Sequence, residues 1–313
     1  MSDWPIKTEG LTKRFGPVTA VKNLDLQVSR GSIFGFLGPN GAGKTTTIKL
    51  LLGLLRPTAG RAWVLGEPAG PEAVVVRRRL GYISETQNMY NFLTVRETLD
   101  FCRSFYPQWD EALARRYLEL FQLPANRLVG RLSKGMRGLL ALVLAMAPHP
   151  ELLILDEPTS GLDPLHRREF LTVVLKEIAA DGATVFFSSH VLSEVDRVVD
   201  HVAILDQGRL LVSRPLEEMK EQEKRLRVVF PGPAPADLGR WPGVRRVVPE
   251  MNGYLISVAA NPQQVAARLA AAGGTGITIM DMNLEEIFLD YIEAERGQSG
   301  FPSPAYPGGL QNN

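Results

Sequence analysis

Along roughly the first 220 residues, short apolar runs alternate with stretches of helical periodicity, the pattern of a mostly parallel sheet with helices on its faces. Leu24, Leu26 and Val28 alternate as a half-buried strand does, and Ile33–Leu37 is a second apolar run. Leu152–Leu155 is continuous and aliphatic between Pro150 and Asp156, as expected of a strand buried on both faces. Thr184–Phe187 is another such run. Residues 94–147 read as helices. Thr94 with Glu97 predicts a capping box, and Asp110 predicts a cap for the next helix. Leu113, Tyr117, Leu120 and Phe121 fall on one face of that helix. The longest charge-free apolar run, Gly138–Pro148, is far short of the ~20 residues that span a bilayer and predicts a buried helix.

Past about residue 220 the pattern changes to short strands near 226–230, 245–248, 254–258 and 277–280, with helices at about 262–272 and 284–294. The expected organisation is an α/β domain over 1–220 with a helical subdomain at about 94–147. A small α+β accessory domain follows over 225–294. Residues 295–313, rich in Gly, Pro, Ser and Asn, read as a disordered tail.

Composition narrows the partners. A formal charge of +1 gives no overall attraction to nucleic acid or an anionic membrane. The basic clusters, Arg77-Arg78-Arg79 and Arg245-Arg246, are short and read as solvated faces, so no nucleic-acid partner is expected. Cys102 is the one cysteine, which excludes an internal disulfide framework and fits a reducing compartment. The four histidines show no ligand-like spacing, so no structural zinc is expected. The N-terminus lacks the basic-then-apolar layout of a signal peptide. A role at a membrane would therefore need another subunit to supply the membrane part.

Two motifs carry chemistry. Gly38-Pro39-Asn40-Gly41-Ala42-Gly43-Lys44-Thr45 matches GxxxxGK[ST], placed between a strand and a helix that runs from Thr46 to about Leu54. The glycines let successive N–H groups turn into one concavity that cradles phosphate oxygens, and the helix start adds positive potential. Lys44 would neutralise the β- and γ-phosphates of ATP, and the Thr45 hydroxyl would ligate Mg²⁺. The second motif is Asp156-Glu157 at the end of the aliphatic strand. There Asp156 would hold Mg²⁺ through water, while Glu157 would reach the attacking water as general base or orienter.

These motifs, with four more in the same order, resemble the ATP-binding cassette (ABC) ATPases, a P-loop NTPase family, across about residues 5–215. Phe15 resembles the aromatic that stacks on adenine, and Leu132-Ser133-Lys134-Gly135-Met136 resembles the family signature. Ser160-Gly161-Leu162-Asp163 looks like the D-loop, and His190 like the switch histidine that senses the γ-phosphate. The resemblance implies two ATP molecules sandwiched between two head-to-tail cassettes, with Ser133 and the Gly135 N–H contacting the partner's γ-phosphate and Asp163 linking the sites. Glu85 stands where the family usually has a Mg²⁺-coordinating glutamine, and Gln87 lies two residues on. Lys134 replaces a signature glycine, adding charge near the γ-phosphate or simply facing solvent. Met136 replaces the glutamine, and Gly138-Leu139 stands where an arginine is customary.

LSKGM, with Phe105-Tyr106-Pro107-Gln108-Trp109-Asp110, resembles the YtrB-type branch of exporter ATPases. Asn283–Phe288 looks like the accessory-domain ending of drug- and polymer-exporter cassettes. Three functions compete: a transporter motor, a soluble ABC ATPase acting on ribosomes or DNA, and an inactive regulator. The paired cassettes, long coiled coils or zinc modules of the second class are missing from the sequence, and Lys44, Thr45, Asp156, Glu157 and His190 argue against the third. The resemblance thus implies a cytoplasmic ATPase held at the inner face of the cell membrane by a permease, with a second cassette as partner.

Overall fold

The computed structural model describes residues 4–160, 162–163, 166–168, 170–172, 182–189 and 191–296. The chain divides into two compact units, Met1–Pro215 and Leu216–Asn313. The first begins with β1 (Ile6–Phe15), β2 (Val18–Val28), β3 (Ile33–Leu37), α1 (Lys44–Leu51), β4 (Ala59–Val64), β5 (Glu67–Pro68), α2 (Val74–Arg77) and β6 (Leu80–Ile83). It continues with α3 (Val95–Arg103), α4 (Glu111–Leu120), α5 (Lys134–Met146), β7 (Leu152–Asp156), β8 (Thr184–Ser189), α6 (Leu192–Val195), β9 (His201–Asp206) and β10 (Arg209–Pro215).

Six strands form one sheet in the order β10-β9-β3-β8-β7-β6. All run parallel except β10, which pairs antiparallel with β9 at the edge. The aliphatic runs at β3, β7 and β8 are buried along their whole length, as a parallel sheet requires. Phe186 of β8 lies between Phe34 and Phe36, with ring centroids 5.7 and 5.1 Å away.

A second, antiparallel sheet, β2-β1-β4-β5, is not foreshadowed by the sequence pattern apart from β2. Its β1 shifts register against β2 at three places between Thr8 and Arg14, which breaks the two-residue alternation. Ile48, Leu50 and Leu51 of α1 share one core with Leu24 and Val64 of this sheet and Phe36 and Phe186 of the other. The helix that follows the phosphate loop is therefore fixed by both sheets.

The helical insertion lies between β6 and β7. Its predicted caps form: the Glu97 N–H donates to Thr94 Oγ1 (3.2 Å), and the Thr94 N–H donates to Glu97 Oε2 (2.7 Å). Asp110 accepts from the Leu113 N–H at 2.8 Å. The predicted apolar face of α4 needs one correction. Leu120 is 57% exposed, and the buried face is Ala114, Tyr117 and Phe121. The run Gly138–Pro148 is the buried core of α5, and no helix among the described residues is long and apolar enough to cross a membrane.

In the second unit, α7 (Leu216–Gln222) precedes β11 (Lys224–Val229), β12 (Val244–Glu250), β13 (Gly253–Val258), α8 (Pro262–Ala271), β14 (Thr275–Asp281) and α9 (Leu284–Glu295). The sequence reading carried the first domain to residue 220, whereas the first unit ends at Pro215 and α7 opens the second. The four strands form an antiparallel sheet ordered β12-β13-β11-β14. One face packs Leu226, Val228, Ile256 and Val258 against Trp241, Val265 and Leu269. Across the other, Arg225, Ser257 and Arg246 stand in one cross-strand row, and Asp290 of α9 lies 3.6 Å from both arginines.

Phe186→Ala removes the ring that fills the centre of the parallel sheet. It is expected to cost about 3–5 kcal/mol, read as a lower urea midpoint for the first unit.

Candidate active site

The phosphate loop leaves the buried end of β3 and turns into α1. Gly43 sits at φ +107°, and a Cβ there would lie 2.3 Å from the Ala20 carbonyl oxygen. A Cβ on Gly38 would lie 2.4 Å from the Leu205 carbonyl oxygen. Both glycines are thus required by close backbone approach as well as by turning, the first by β2 and the second by β9. Within the loop the Ala42 N–H donates to Pro39 O (3.1 Å), and the Gly208 N–H donates to Ala42 O (2.9 Å). Asn40 and Gly41 are exposed, while Thr45 and Thr46 are half-buried in the first turn of α1.

Lys44 is only 6% exposed, and its ammonium folds back into the loop. It donates to Gly38 O at 2.7 Å and to Pro39 O at 3.3 Å, and lies 3.1 Å from Glu157 Oε1. Glu157, 7% exposed, holds a left-handed backbone at φ +49°, costly for a non-glycine residue and a frequent mark of a functional position. Beside it, Asp156 Oδ1 accepts from Thr45 Oγ1 at 3.2 Å and from Ser188 Oγ at 2.8 Å. Ser188 Oγ in turn accepts from the Glu157 N–H at 3.1 Å. Burial pushes the Asp156 carboxyl above the usual range against these two hydrogen bonds, and the charges of Glu157 and Glu85 push the same way. Tyr82 on β6 is pushed up to about 12 by burial and by Asp156.

The structure thus brings Lys44, Thr45, Asp156 and Glu157 together. Glu85, exposed just past β6, is near enough to bear on Asp156 electrostatically. Phe15 ends β1 and is 47% exposed, with the Lys13 ammonium 5.1 Å above its ring. It pairs with Val18, two residues before the Ala20 that touches Gly43, so the β1–β2 hairpin reaches the loop. Ser133 caps α5, its hydroxyl accepting from the Met136 N–H at 3.1 Å, and Gly135 is buried in the first turn. Neither takes part in the hydrogen bonds of the phosphate loop. Asp163 accepts from the His166 N–H at 3.1 Å. His190 lies outside the described residues. Ser188 and Tyr82 carry no motif of their own, because each reaches Asp156 from a neighbouring strand of the sheet.

A buried carboxylate pair beside a lysine-closed phosphate loop, at the carboxyl edge of a parallel sheet, defines a P-loop nucleoside triphosphatase. Residues 21–160 match the sequence family described as ABC transporter. Over 222 residues the chain is 40% identical to the bacitracin transport ATP-binding protein BcrA of Bacillus licheniformis, covering 70% of this chain and 72% of that one. It is 35% identical over 292 residues to the Nod factor export ATP-binding protein I of Burkholderia lata, covering 91% of this chain and 96% of that one. A solved ATP-binding subunit of an ABC transporter is similar at TM-score 0.63 and 31% identity, over 69% of this chain and 92% of that one. The chain belongs to the ATP-binding subunits of ABC transporters: an ATPase of a family whose cassettes dimerise and work with membrane permeases.

The raised Asp156 carboxyl has a consequence for stability. The folded chain holds this proton more tightly than the unfolded chain does. The group therefore favours the fold at pH below its unfolded value, and that contribution is lost as pH rises through the folded value. Asp156→Asn, which keeps an acceptor for Ser188 and Thr45, is expected to raise the Tm of the nucleotide-free chain by a few degrees at neutral pH while Mg²⁺-dependent turnover is lost. Thermal unfolding of the nucleotide-free chain checks the first half, and an ATPase assay with Mg²⁺ checks the second.

Proposed function

We propose that this chain powers export through a separate permease, hydrolysing Mg²⁺–ATP in a dimer with a second cassette, which is either another copy or a related chain. The observation that carries the reading is the convergence of Lys44, Thr45, Asp156 and Glu157 within hydrogen-bond or ion-pair reach of one another. Thr45 Oγ1 and Asp156 Oδ1 form a pair of hard oxygen donors, and the buried carboxylate is short of compensating charge. That donor set fits Mg²⁺, which takes one or two protein oxygens and completes its shell with water and phosphate. Glu85 stands at its edge as a further ligand.

Bound Mg²⁺–ATP supplies the β,γ-phosphoryl bond that is broken. Lys44 exchanges the Gly38 and Pro39 carbonyls and Glu157 for phosphate oxygens. Glu157, released from that ion pair, is then placed to orient and deprotonate the attacking water. Phe15 stacks on adenine, and Gly38 to Thr46 wrap the phosphates with backbone N–H groups. Ser133 and the Gly135 N–H, at the start of α5, face the γ-phosphate held by the partner cassette, and Asp163 links the two sites. His190 is assigned the γ-phosphate sensor on resemblance alone. ATP binding closes such a dimer and hydrolysis permits opening.

The permease is assigned to the helical insertion. A cavity of about 440 Å³ is lined by Tyr82, Ser84, Gln87, Tyr90, Phe101 and Tyr106, among others. At its rim Tyr90, Phe92, Phe101 and Phe105 are exposed aromatics in mutual contact, the kind of apolar surface a partner covers. The same cavity reaches the segment before Glu85, so docking and the Mg²⁺ site share a wall. With a permease docked there, the chain works at the cytoplasmic face of a membrane. Export is the direction suggested by the Nod factor export relatives. The second unit, which those relatives cover, is read as the accessory domain of exporter cassettes, and LSKGM favours the YtrB-type branch.

Glu157→Gln is expected to keep ATP binding, lose roughly 10²–10⁴-fold in turnover, and accumulate an ATP-bound dimer on size-exclusion chromatography. Near-normal turnover would remove Glu157 from its role. Lys44→Ala is expected to weaken ATP binding itself, and an unchanged affinity in equilibrium titration would contradict the phosphate assignment.

A further inference from the structure

The segment that follows the acidic pair carries a histidine whose contacts the preceding account leaves unused. His166 donates its backbone N–H to Asp163 Oδ1 at 3.1 Å, an ordinary helix-capping bond. Its ring Nδ1 also meets the second carboxylate oxygen, Asp163 Oδ2. An ionised carboxylate only accepts, so Nδ1 carries the proton in this contact. The ring is 30% exposed and Asp163 53%, so the bond sits at the surface rather than in the core.

The same ring lies against α5. A Cβ built on Gly135 would stand 3.4 Å from the His166 ring, and one built on Gly138 would stand 3.3 Å from Leu162 Cδ2. The two glycines are three positions apart and share a face of α5. Leu162 and His166 therefore rest on the part of that helix that presents backbone instead of side chains. Gly138 is itself one of the departures from the family pattern, and a larger residue there would press on Leu162.

We propose that His166 is a positioning residue: it fixes the Asp163 carboxylate to the first turn of α5, so that the two elements this chain offers its partner cassette move as one piece. The inference rests on the dimeric reading above. Neither element can serve the partner unless it arrives at the right distance from the other. His166 touches both, through its ring nitrogen and its ring face. Its loss leaves each element folded and the backbone cap on Asp163 in place, but removes the side-chain tie that holds the second carboxylate oxygen against α5. The effect falls on turnover in the closed dimer and leaves intact the binding of ATP to the chain's own phosphate loop.

The test is a set of substitutions in the full-length chain, His166→Ala, His166→Leu and His166→Asn, assayed for kcat, KM for ATP and Tm, with Glu157→Gln run alongside. Asparagine places an amide N–H near where Nδ1 stood, and leucine fills the volume with no donor. The expected result is a kcat lower by about tenfold in the Ala and Leu variants, with KM and Tm little changed, and recovery to within about twofold in the Asn variant. Wild-type kcat in all three variants overturns the proposal, as does an equal loss in Asn and Leu. If Glu157→Gln still forms its ATP-dependent dimer in that case, only the role of His166 fails. If it forms none, the dimeric reading fails with it.

Discussion

The ion pair between Lys44 and Glu157 is the contact around which the first unit is organised. Both side chains are more than nine-tenths buried, and taking two charges out of water costs several kcal/mol per ion unless each finds compensation. Lys44 finds it in two loop carbonyls and one carboxylate oxygen. That compensation exists only because parallel strands present their carboxyl ends at one edge of the sheet. The strand order β3-β8-β7 puts the phosphate loop and the acidic pair one strand apart. Near the end of the intervening strand, Ser188 donates to Asp156 and accepts from the Glu157 N–H. One hydroxyl thus ties the Asp156 carboxylate to the backbone of Glu157.

Lys44 is satisfied within the chain, by two loop carbonyls and one carboxylate oxygen. Nucleotide has to compete with the Gly38 and Pro39 carbonyls for the ammonium, and its phosphate charge is what can win that competition. Under the proposed mechanism this exchange couples binding to chemistry, because the group released from the lysine is the carboxylate assigned to the water. Two unfavourable features stand side by side at this edge of the sheet: the left-handed backbone of Glu157 and the poorly compensated charge of Asp156. The aliphatic interior behind it, from Ile154 through Phe186 to Phe36, holds them in place.

What the sequence disclosed follows from how far each feature extends along the chain. The phosphate loop, the strand Leu152–Asp156 and the caps at Thr94 and Asp110 are local: consecutive or nearly consecutive residues make them, so their pattern survives in one dimension. The antiparallel sheet was hidden apart from β2, because the register shifts of β1 erase its alternation. Leu120 fits the helical period of α4, but the buried line runs through Ala114, Tyr117 and Phe121 and leaves Leu120 in solvent. Ser188 and Tyr82 reach Asp156 across neighbouring strands, and no spacing in the sequence encodes that. His166 is an intermediate case. Its bond to Asp163 is local, but its packing on Gly135 joins segments about thirty residues apart, so the residue gains meaning only when α5 is in place.

On the proposed dimeric reading, the division of groups within one chain makes a single copy an incomplete catalyst. Lys44, Thr45, Asp156 and Glu157 gather at the edge of the parallel sheet. Ser133 and Gly135 sit at the start of α5, outside that hydrogen-bonded group, although α5 feeds directly into the strand that carries the acids. A helix start is a favourable place for phosphate only if phosphate can reach it, and its backbone N–H groups otherwise face water. The same helix is buried from Leu139 to Val143, and Gly81 of β6 admits it so closely that a Cβ there would lie 2.7 Å from the Ala145 carbonyl oxygen. The donor end of α5 is therefore rigidly mounted on the sheet that binds this chain's own nucleotide. On the proposed dimeric reading, a shift of that sheet on binding or hydrolysis is carried to the groups presented to the other cassette, and two sites held by different chains can respond to one another.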